Sequence, residues 1–313
     1  MYEHAEEYKK VARKPSLIEQ LTKNSPRELQ ENPSNWSRDF TLPDAQKLTR
    51  QLENLNTSKQ TFRLGVIHTY TSDLLNPWLD FHASTQGIKL ETYHAPYGMN
   101  IIESEIGSGL LKHQPHLTLF MLQREDLHPA LKLPITSLDQ EQQENICQQS
   151  IEYLLNILSQ FRKNLKGRFA ITLLPSCFGP DLGLYDAQYE CSEGIWWASL
   201  KSLLVKQINT HLESTLFIDF DALLLDIGRN NFFDARYWYT SRFPFTPQAA
   251  NEFSRKILDL AKADLTVKVK VIVLDADNTL WGGIIGEDGI NGIALGPDYP
   301  GNAFVDFQRR ILG

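Results

Sequence analysis

The stretch FRLGVIHTYTSDLLNPWLDFHASTQGIKLETYH, Phe62–His94, decides the fold. FRLGVIH (Phe62–His68) is apolar and β-rich, which predicts a strand. DLLNPWLDFHAS (Asp73–Ser84) has helical spacing, with Ser72 or Asp73 placed to cap its start. IKLETYH (Ile88–His94) is a second strand. A strand, a helix and a strand joined by short connections make a right-handed crossover between parallel strands.

The same grammar runs on downstream. GMNIIESEIGSGLL (Gly98–Leu111) predicts a helix and HLTLFML (His116–Leu122) a third strand. A long amphipathic helix over Asp139–Asn164 precedes a fourth strand, RFAITLLP (Arg168–Pro175). A helix over Glu193–Leu212 leads to a fifth strand within TLFIDFDALL (Thr215–Leu224). After an aromatic loop, Thr246 caps a helix over Thr246–Ala263 with Pro247 in its first turn. VKVIVLD (Val269–Asp275) reads as a sixth, buried strand. Such alternation predicts an α/β fold, a doubly wound parallel sheet with helices on both faces. Ligands gather at the carboxyl ends of strands in such sheets. Residues 1–60 are polar, helix-favouring and broken by Pro15, Pro26, Pro33 and Pro43. They predict two or three short helices ahead of an α/β domain over 61–264. A final segment, 265–313, begins near Asp264–Lys268.

The chain has 313 residues, 42% hydrophobic and 22% charged, an ordinary balance for a globular protein. A net charge of -7 argues against nucleic acid or an anionic membrane as the main partner. No run approaches the roughly 18 apolar residues of a membrane span. The charged start, MYEHAEEYKKVARKP, lacks the apolar stretch of a signal peptide. Three cysteines without a CxxC pair fit a reducing, cytoplasmic setting.

The sixth predicted strand ends in Asp275-Ala-Asp277. A carboxylate at a rigid strand tip can attack phosphorus and form an aspartyl-phosphate. A second, two residues on, can protonate the leaving group and later deprotonate water. Close-set carboxylates also attract Mg²⁺, a hard ion that prefers oxygen. Asn278 and Thr279 are placed to stabilise the turn by hydrogen bonds, and Gly282 and Gly283 let the backbone turn sharply. IIGEDGI (Ile284–Ile290) predicts a tight hairpin flap beside the site. D-x-D alone also fits a solvated acidic turn; the whole string VIVLDADNTLWGG is far more specific.

That string resembles the first motif of the haloacid dehalogenase (HAD) superfamily of phosphatases. VLDADNTLWGGIIGEDGINGIALG resembles more narrowly its FkbH-like members, subfamily IIIC. FFDARYWYTSRFPFTPQAANEFSRKI (Phe232–Ile257) is similar to the linker before their phosphatase strand, and GVIHTYTSDLLNPWLDF and QPHLTLFMLQREDL are similar to their SGNH-hydrolase-like domain. The resemblance implies a flavodoxin-like three-layer domain, then the first strand, flap and helix of a HAD domain. It implies a glyceryl transferase/phosphatase that takes 1,3-bisphosphoglycerate, a phosphorylated three-carbon substrate. The glyceryl unit would be loaded onto an acyl carrier protein for polyketide-type biosynthesis. By motif, Asp275 is the nucleophile and a Mg²⁺ ligand, and Asp277 is the general acid/base and joins the metal. Asn278, Thr279, Gly282 and Gly283 would face the substrate. A HAD site also needs a Ser or Thr, a Lys and a further acidic pair, which lie later in the family's chains. After the flap comes AFVDFQRRILG (Ala303–Gly313), so this chain by itself is expected to have little phosphatase activity. The competing expectations are a carrier-binding module without catalysis and a generic Mg²⁺-dependent HAD phosphatase.

An SGNH hydrolase would place a nucleophilic Ser after its first strand and an Asp-x-x-His near its end. Ser72 is the nearest candidate, but Asp234 is followed by Ala-Arg-Tyr237-Trp238 with no His three residues on, and no triad is legible. Helix capping by Ser72 or Asp73 is the favoured reading, with the hydrolase-like fold used for binding. Cys177 sits after the fourth strand without a sequence-near His or Lys, and reads as a neutral loop thiol rather than a thioester carrier. His68, His94, His113, His116 and His128 match no zinc spacing. Trp238, Tyr239, Phe243 and Phe245, near Arg236 and Arg242, read as an interface cluster ahead of a wall for a phosphopantetheine arm.

Overall fold

The computed structural model describes residues 41–55, 60–98, 101–177, 179–265 and 271–312. Of the span 1–60 in which short helices are expected, residues 1–40 lie outside these residues, and a helix is formed over Leu42–Leu55. The chain divides into two compact units, Met1–Asp264 and Leu265–Gly313.

The first unit is built on five parallel strands: β1 Gln60–His68, β2 Ile88–His94, β3 Leu117–Gln123, β4 Arg168–Leu174 and β5 Thr215–Phe217. Their order is β2-β1-β3-β4-β5. That is the flavodoxin-like order, in which the chain first builds to one side of β1 and then reverses to the other. The central strands β3 and β4 are buried along nearly their whole length because helices cover both faces. The expected α/β, doubly wound parallel architecture is therefore the observed one.

The main helices of this unit are α1 Leu42–Leu55, α2 Asn76–Thr85, α3 Gly109–His113, α4 Gln140–Asn164, α5 Glu193–His211, α6 Phe220–Ile227, α7 Arg229–Phe232, α8 Ala235–Ser241 and α9 Pro247–Leu265. Local chemistry sets their starts. Asp139 and Gln142 form a reciprocal capping box on α4. Ser192 caps α5, and Thr246 Oγ1 accepts from the Ala249 N–H at the start of α9.

One sheet face packs Phe120, Phe161 and Phe169 edge to face, with centroids 5.2 Å apart in both pairs that Phe120 makes. A second aromatic group joins Phe220, Phe232, Phe245 and Phe253, all fully buried. Phe243 and Phe245 are thus core residues of this unit, not a ligand wall. Gly65 in β1 is required by packing: a Cβ there would lie 2.4 Å from the Leu110 side chain.

Two local expectations are corrected. The helix over Gly98–Leu111 is instead a 3-10 turn, Ile102–Ser104, followed by α3. Gly107 takes φ 95° and Ser108 caps α3, so the chain reverses where a continuous helix was expected. The fifth strand lies within the expected Thr215–Leu224 and stops at Phe217, because Asp219 caps α6 two residues later. The sixth strand is not formed over its described part. Val271–Asp275 runs without strand pairing, and Val271, Ile272 and Val273 are 73%, 66% and 89% exposed. A strand needs a ladder partner, and the described residues of the second unit supply only isolated bridges. Val269 and Lys270 lie outside the described residues.

The second unit contains a short helix α10, Ile285–Asp288, and a C-terminal helix α11, Gly301–Leu312. Among the described residues no helix is long and apolar enough to cross a membrane.

Candidate functional site

The Asp275–Gly283 segment of the second unit is a tight loop held by its own polar groups. Leu280 N–H donates to the Ala276 carbonyl at 2.8 Å and Thr279 N–H to the same oxygen at 3.3 Å. Asn278 sits in the left-handed region at φ 55°, and its Oδ1 accepts the Gly283 N–H at 2.8 Å. Asparagine tolerates that conformation better than most residues. The two glycines differ in their reasons. Gly283 has φ 97°; Gly282 needs close approach, since a Cβ would lie 2.9 Å from the Phe304 ring of α11. Gln308 of α11 also donates to the Leu280 carbonyl at 2.6 Å.

The two aspartates have different surroundings. Asp277 is half-buried, and its Oδ1 accepts from Trp281 Nε1 at 3.0 Å and from Ile285 N–H at 3.1 Å. Asp275 is exposed, and its carboxylate accepts the neighbouring Ala276 N–H at 2.8 Å. One carboxylate is aimed by a ring and a backbone amide; the other faces solvent. The expected hairpin flap is instead the helical turn α10, closed at its base by the antiparallel bridge Gly282–Ala294. The reason is Asp288, whose Oδ2 accepts the Ile284 N–H at 2.8 Å and winds the segment into a turn.

Oxygen donors of this kind suit Mg²⁺, which takes one or two carboxylates and completes its shell with water and substrate phosphate. Asp275 and Asp277 fit that donor chemistry. Among the described residues no group of three or more His, Cys, Asp or Glu converges as a complete metal cage.

A second constellation lies at the carboxyl ends of β1 and β2. His94 pairs in register with Val66. Its Nδ1 lies 2.7 Å from Ser72 Oγ and 3.2 Å from Asp73 Oδ1, and its Nε2 lies 2.7 Å from Asn76 Oδ1. Ser72 occupies the N-cap position of the 3-10 turn Asp73–Leu75, yet its side chain makes no capping bond. The expected capping role is replaced by the bond to His94. Burial pushes the His94 pKa down, partly offset by Asp73 and reinforced by His68. Beside this group is an open cleft of about 540 Å³ whose lining includes His68, Thr71, Asp73, His94, Tyr97 and Arg242.

The remaining candidates are quieter. Cys177 borders a cavity of about 210 Å³ with Arg229, Phe233 and Trp238. Burial, with Glu125 nearby, pushes its thiol up to about 11, so it stays protonated at neutral pH. His128 Nδ1 accepts from the Ala130 N–H, a local bond, and His116 Nδ1 from the Arg63 N–H of β1, 53 residues away; both are structural.

No family model matches this chain, and no curated protein does. Two solved structures are similar. The N-terminal part of protein BF1531 from Bacteroides fragilis, which contains a phosphatase domain and was crystallised with Mg, aligns at a TM-score of 0.68 and 18% identity. That alignment covers 87% of this chain and 70% of the other. A lipase, Lip_vut3, from a goat rumen metagenome aligns at 0.42 and 12% identity over 64% of this chain and 97% of the lipase. The first likeness shows a shared fold; the second is too distant to carry an argument.

Sequence reasoning singled out Asp275 and Asp277 but missed Trp281 as the donor that aims Asp277. It also missed His94 and Asn76 as partners of Ser72. The spacing of 22 residues between Ser72 and His94 carries no local signal; the parallel pairing of β1 and β2 joins them.

Proposed function

We propose that this protein is an FkbH-like glyceryl transferase/phosphatase acting on 1,3-bisphosphoglycerate with Mg²⁺. It would pass the glyceryl unit to an acyl carrier protein in a cytoplasmic, polyketide-type pathway. The observation that supports the phosphatase reading is the unequal treatment of the two aspartates. Asp275 is open to attack phosphorus, while Asp277 is fixed by Trp281 and Ile285. In this reading the Asp275 carboxylate displaces the ester oxygen, and Asp277 protonates that leaving group. Asp277 then takes a proton from water as it releases phosphate from Asp275. Asn278, Thr279, Gly282 and Gly283 would border the phosphate, and the carrier thiol would displace the acyl phosphate at the other end of the substrate. Bound at Asp275 and Asp277, Mg²⁺ would screen carboxylate from phosphate.

A second reading, a carrier-binding module without phosphatase chemistry, draws on the lack of a third converging acidic ligand among the described residues. One experiment separates the two. The full-length protein is incubated with Mg²⁺, 1,3-bisphosphoglycerate and holo carrier protein, and the carrier is read by intact mass. A glyceryl thioester with release of phosphate, the latter abolished in Asp275→Asn, is the expected result. Carrier binding with no phosphate release would overturn it.

A further inference from the structure

An open cavity of about 290 Å³ lies at the carboxyl end of β4, where Pro175 and Ser176 border it. Parallel sheets receive ligands at that edge. Its wall carries Arg124, Glu193, Asp221 and Arg229. All but the last are matched. Arg124 pairs with Glu193 and Glu125, and Asp221 takes Lys201 and the Trp197 Nε1–H, the latter at 2.9 Å. Arg229 makes no ion pair among the described residues. Its Nη1 donates to the Ser176 carbonyl at 2.6 Å, and its guanidinium lies 5.9 Å from the centre of the Phe233 ring. Its Nε and Nη2 make no hydrogen bond among the described residues. That edge is turned to Gly179, where a Cβ would lie 3.8 Å from Nη2 and 3.9 Å from Nε. Glycine, held there at φ 76°, leaves the edge uncovered. Two parallel N–H groups on one edge are the fork that takes a carboxylate in two bonds.

We propose that this cavity is a binding site for a small aromatic monocarboxylate, anchored by Arg229. The proposal does not rest on phosphatase chemistry. The single unmatched cation calls for a single negative charge. A second charge on the ligand, as in a phosphate monoester, would meet Glu193 and Asp221 in the same wall. The remaining wall is apolar, with Trp197, Leu224 and Leu225, and Leu225 is 82% exposed. Apolar surface there is still open to water and gains by being covered. At a water's share of roughly 30 Å³ the space equals about ten waters, which suits a ligand of about ten non-hydrogen atoms. A ring against Trp197 with its carboxylate on the Arg229 fork satisfies both halves of the wall.

The test is isothermal titration calorimetry of the whole protein with phenylacetate, benzoate and the neutral isostere phenylacetamide. The expected result is saturable binding of the two acids, with phenylacetate at least about tenfold tighter than phenylacetamide. That comparison needs no variant to fold. Arg229→Gln should weaken phenylacetate about 10- to 100-fold, and Arg229→Lys, which keeps the charge without the fork, about tenfold. Arg229 also holds the Ser176 carbonyl, so thermal unfolding accompanies each variant. Leu225→Glu, at an exposed position outside the core, should weaken binding about tenfold by placing a like charge on the rim. No saturable binding of either acid, phenylacetamide bound as tightly as phenylacetate, or wild-type affinity in Leu225→Glu or a folded Arg229→Gln would each overturn the proposal. Displacement of phenylacetate by equimolar inorganic phosphate would overturn it too.

Discussion

Replacing Trp281 by Phe keeps an aromatic ring and removes one donor from Asp277. The lost bond is Nε1–H to Oδ1 at 3.0 Å, and the acceptor is a carboxylate. Hydrogen bonds to charged groups contribute about 1.5–3 kcal/mol. Asp277 is half-buried and keeps the Ile285 N–H at 3.1 Å, so a value around the low end of that range applies, about 1–2 kcal/mol. If the bond aims Asp277 for proton transfer, that cost appears in the barrier as a fall of about 5- to 30-fold in kcat/KM. The assay is Mg²⁺-dependent phosphate release by the full-length protein, with thermal unfolding as a control. Asp277→Asn should be far more damaging, because on the proposed function it removes the proton donor rather than its support. A Trp281→Phe enzyme at the wild-type rate, or one as inactive as Asp277→Asn, would refute the reasoning.

Other expected outcomes concern the fold. His82 is buried with Nε2 2.7 Å from Asn251 Oδ1, and burial holds its pKa below the ordinary value. The unfolded chain therefore takes up its proton first. The stability His82 contributes is intact above about pH 6.5 and falls with acid by at most about 1.4 kcal/mol per pH unit. Urea unfolding at pH 7.5, 6.5 and 5.5 should show the loss, and a His82→Gln protein should show a shallower one; equal slopes would contradict this. Phe120→Ala removes a fully buried ring from two edge-to-face contacts and should cost about 3–5 kcal/mol by urea unfolding. Asp139→Ala breaks the capping box of α4 and should cost about 1 kcal/mol, read the same way.

The βαβ unit over Phe62–His94 was legible because its signals are local. Val66, Ile67 and their neighbours read as a strand, and the pattern of Trp78, Leu79 and Phe81 as a helix face; both are buried in the structure. The capping signal of Thr246 was equally local. Val271–Leu274 shows where such reading ends. Four apolar residues in a row look like a buried strand, but burial depends on partner strands that a single segment cannot specify. The same holds at Ser72. Its place before a helix predicts a cap, whereas His94, brought alongside by strand pairing, competes for the hydroxyl and takes it. At the aspartate loop the spacing of Asp275 and Asp277 was readable, and the unequal hydrogen bonding around the two carboxylates was not.

The central claim is that Asp275 is a phosphoryl nucleophile. The full-length protein can be mixed with Mg²⁺ and 1,3-bisphosphoglycerate, quenched in acid, and its peptides analysed by mass spectrometry. A phosphoryl adduct on Asp275, absent from Asp275→Asn and persisting longer in Asp277→Asn, is the predicted result. Phosphate release without any adduct on Asp275, or an adduct on another residue, would contradict it.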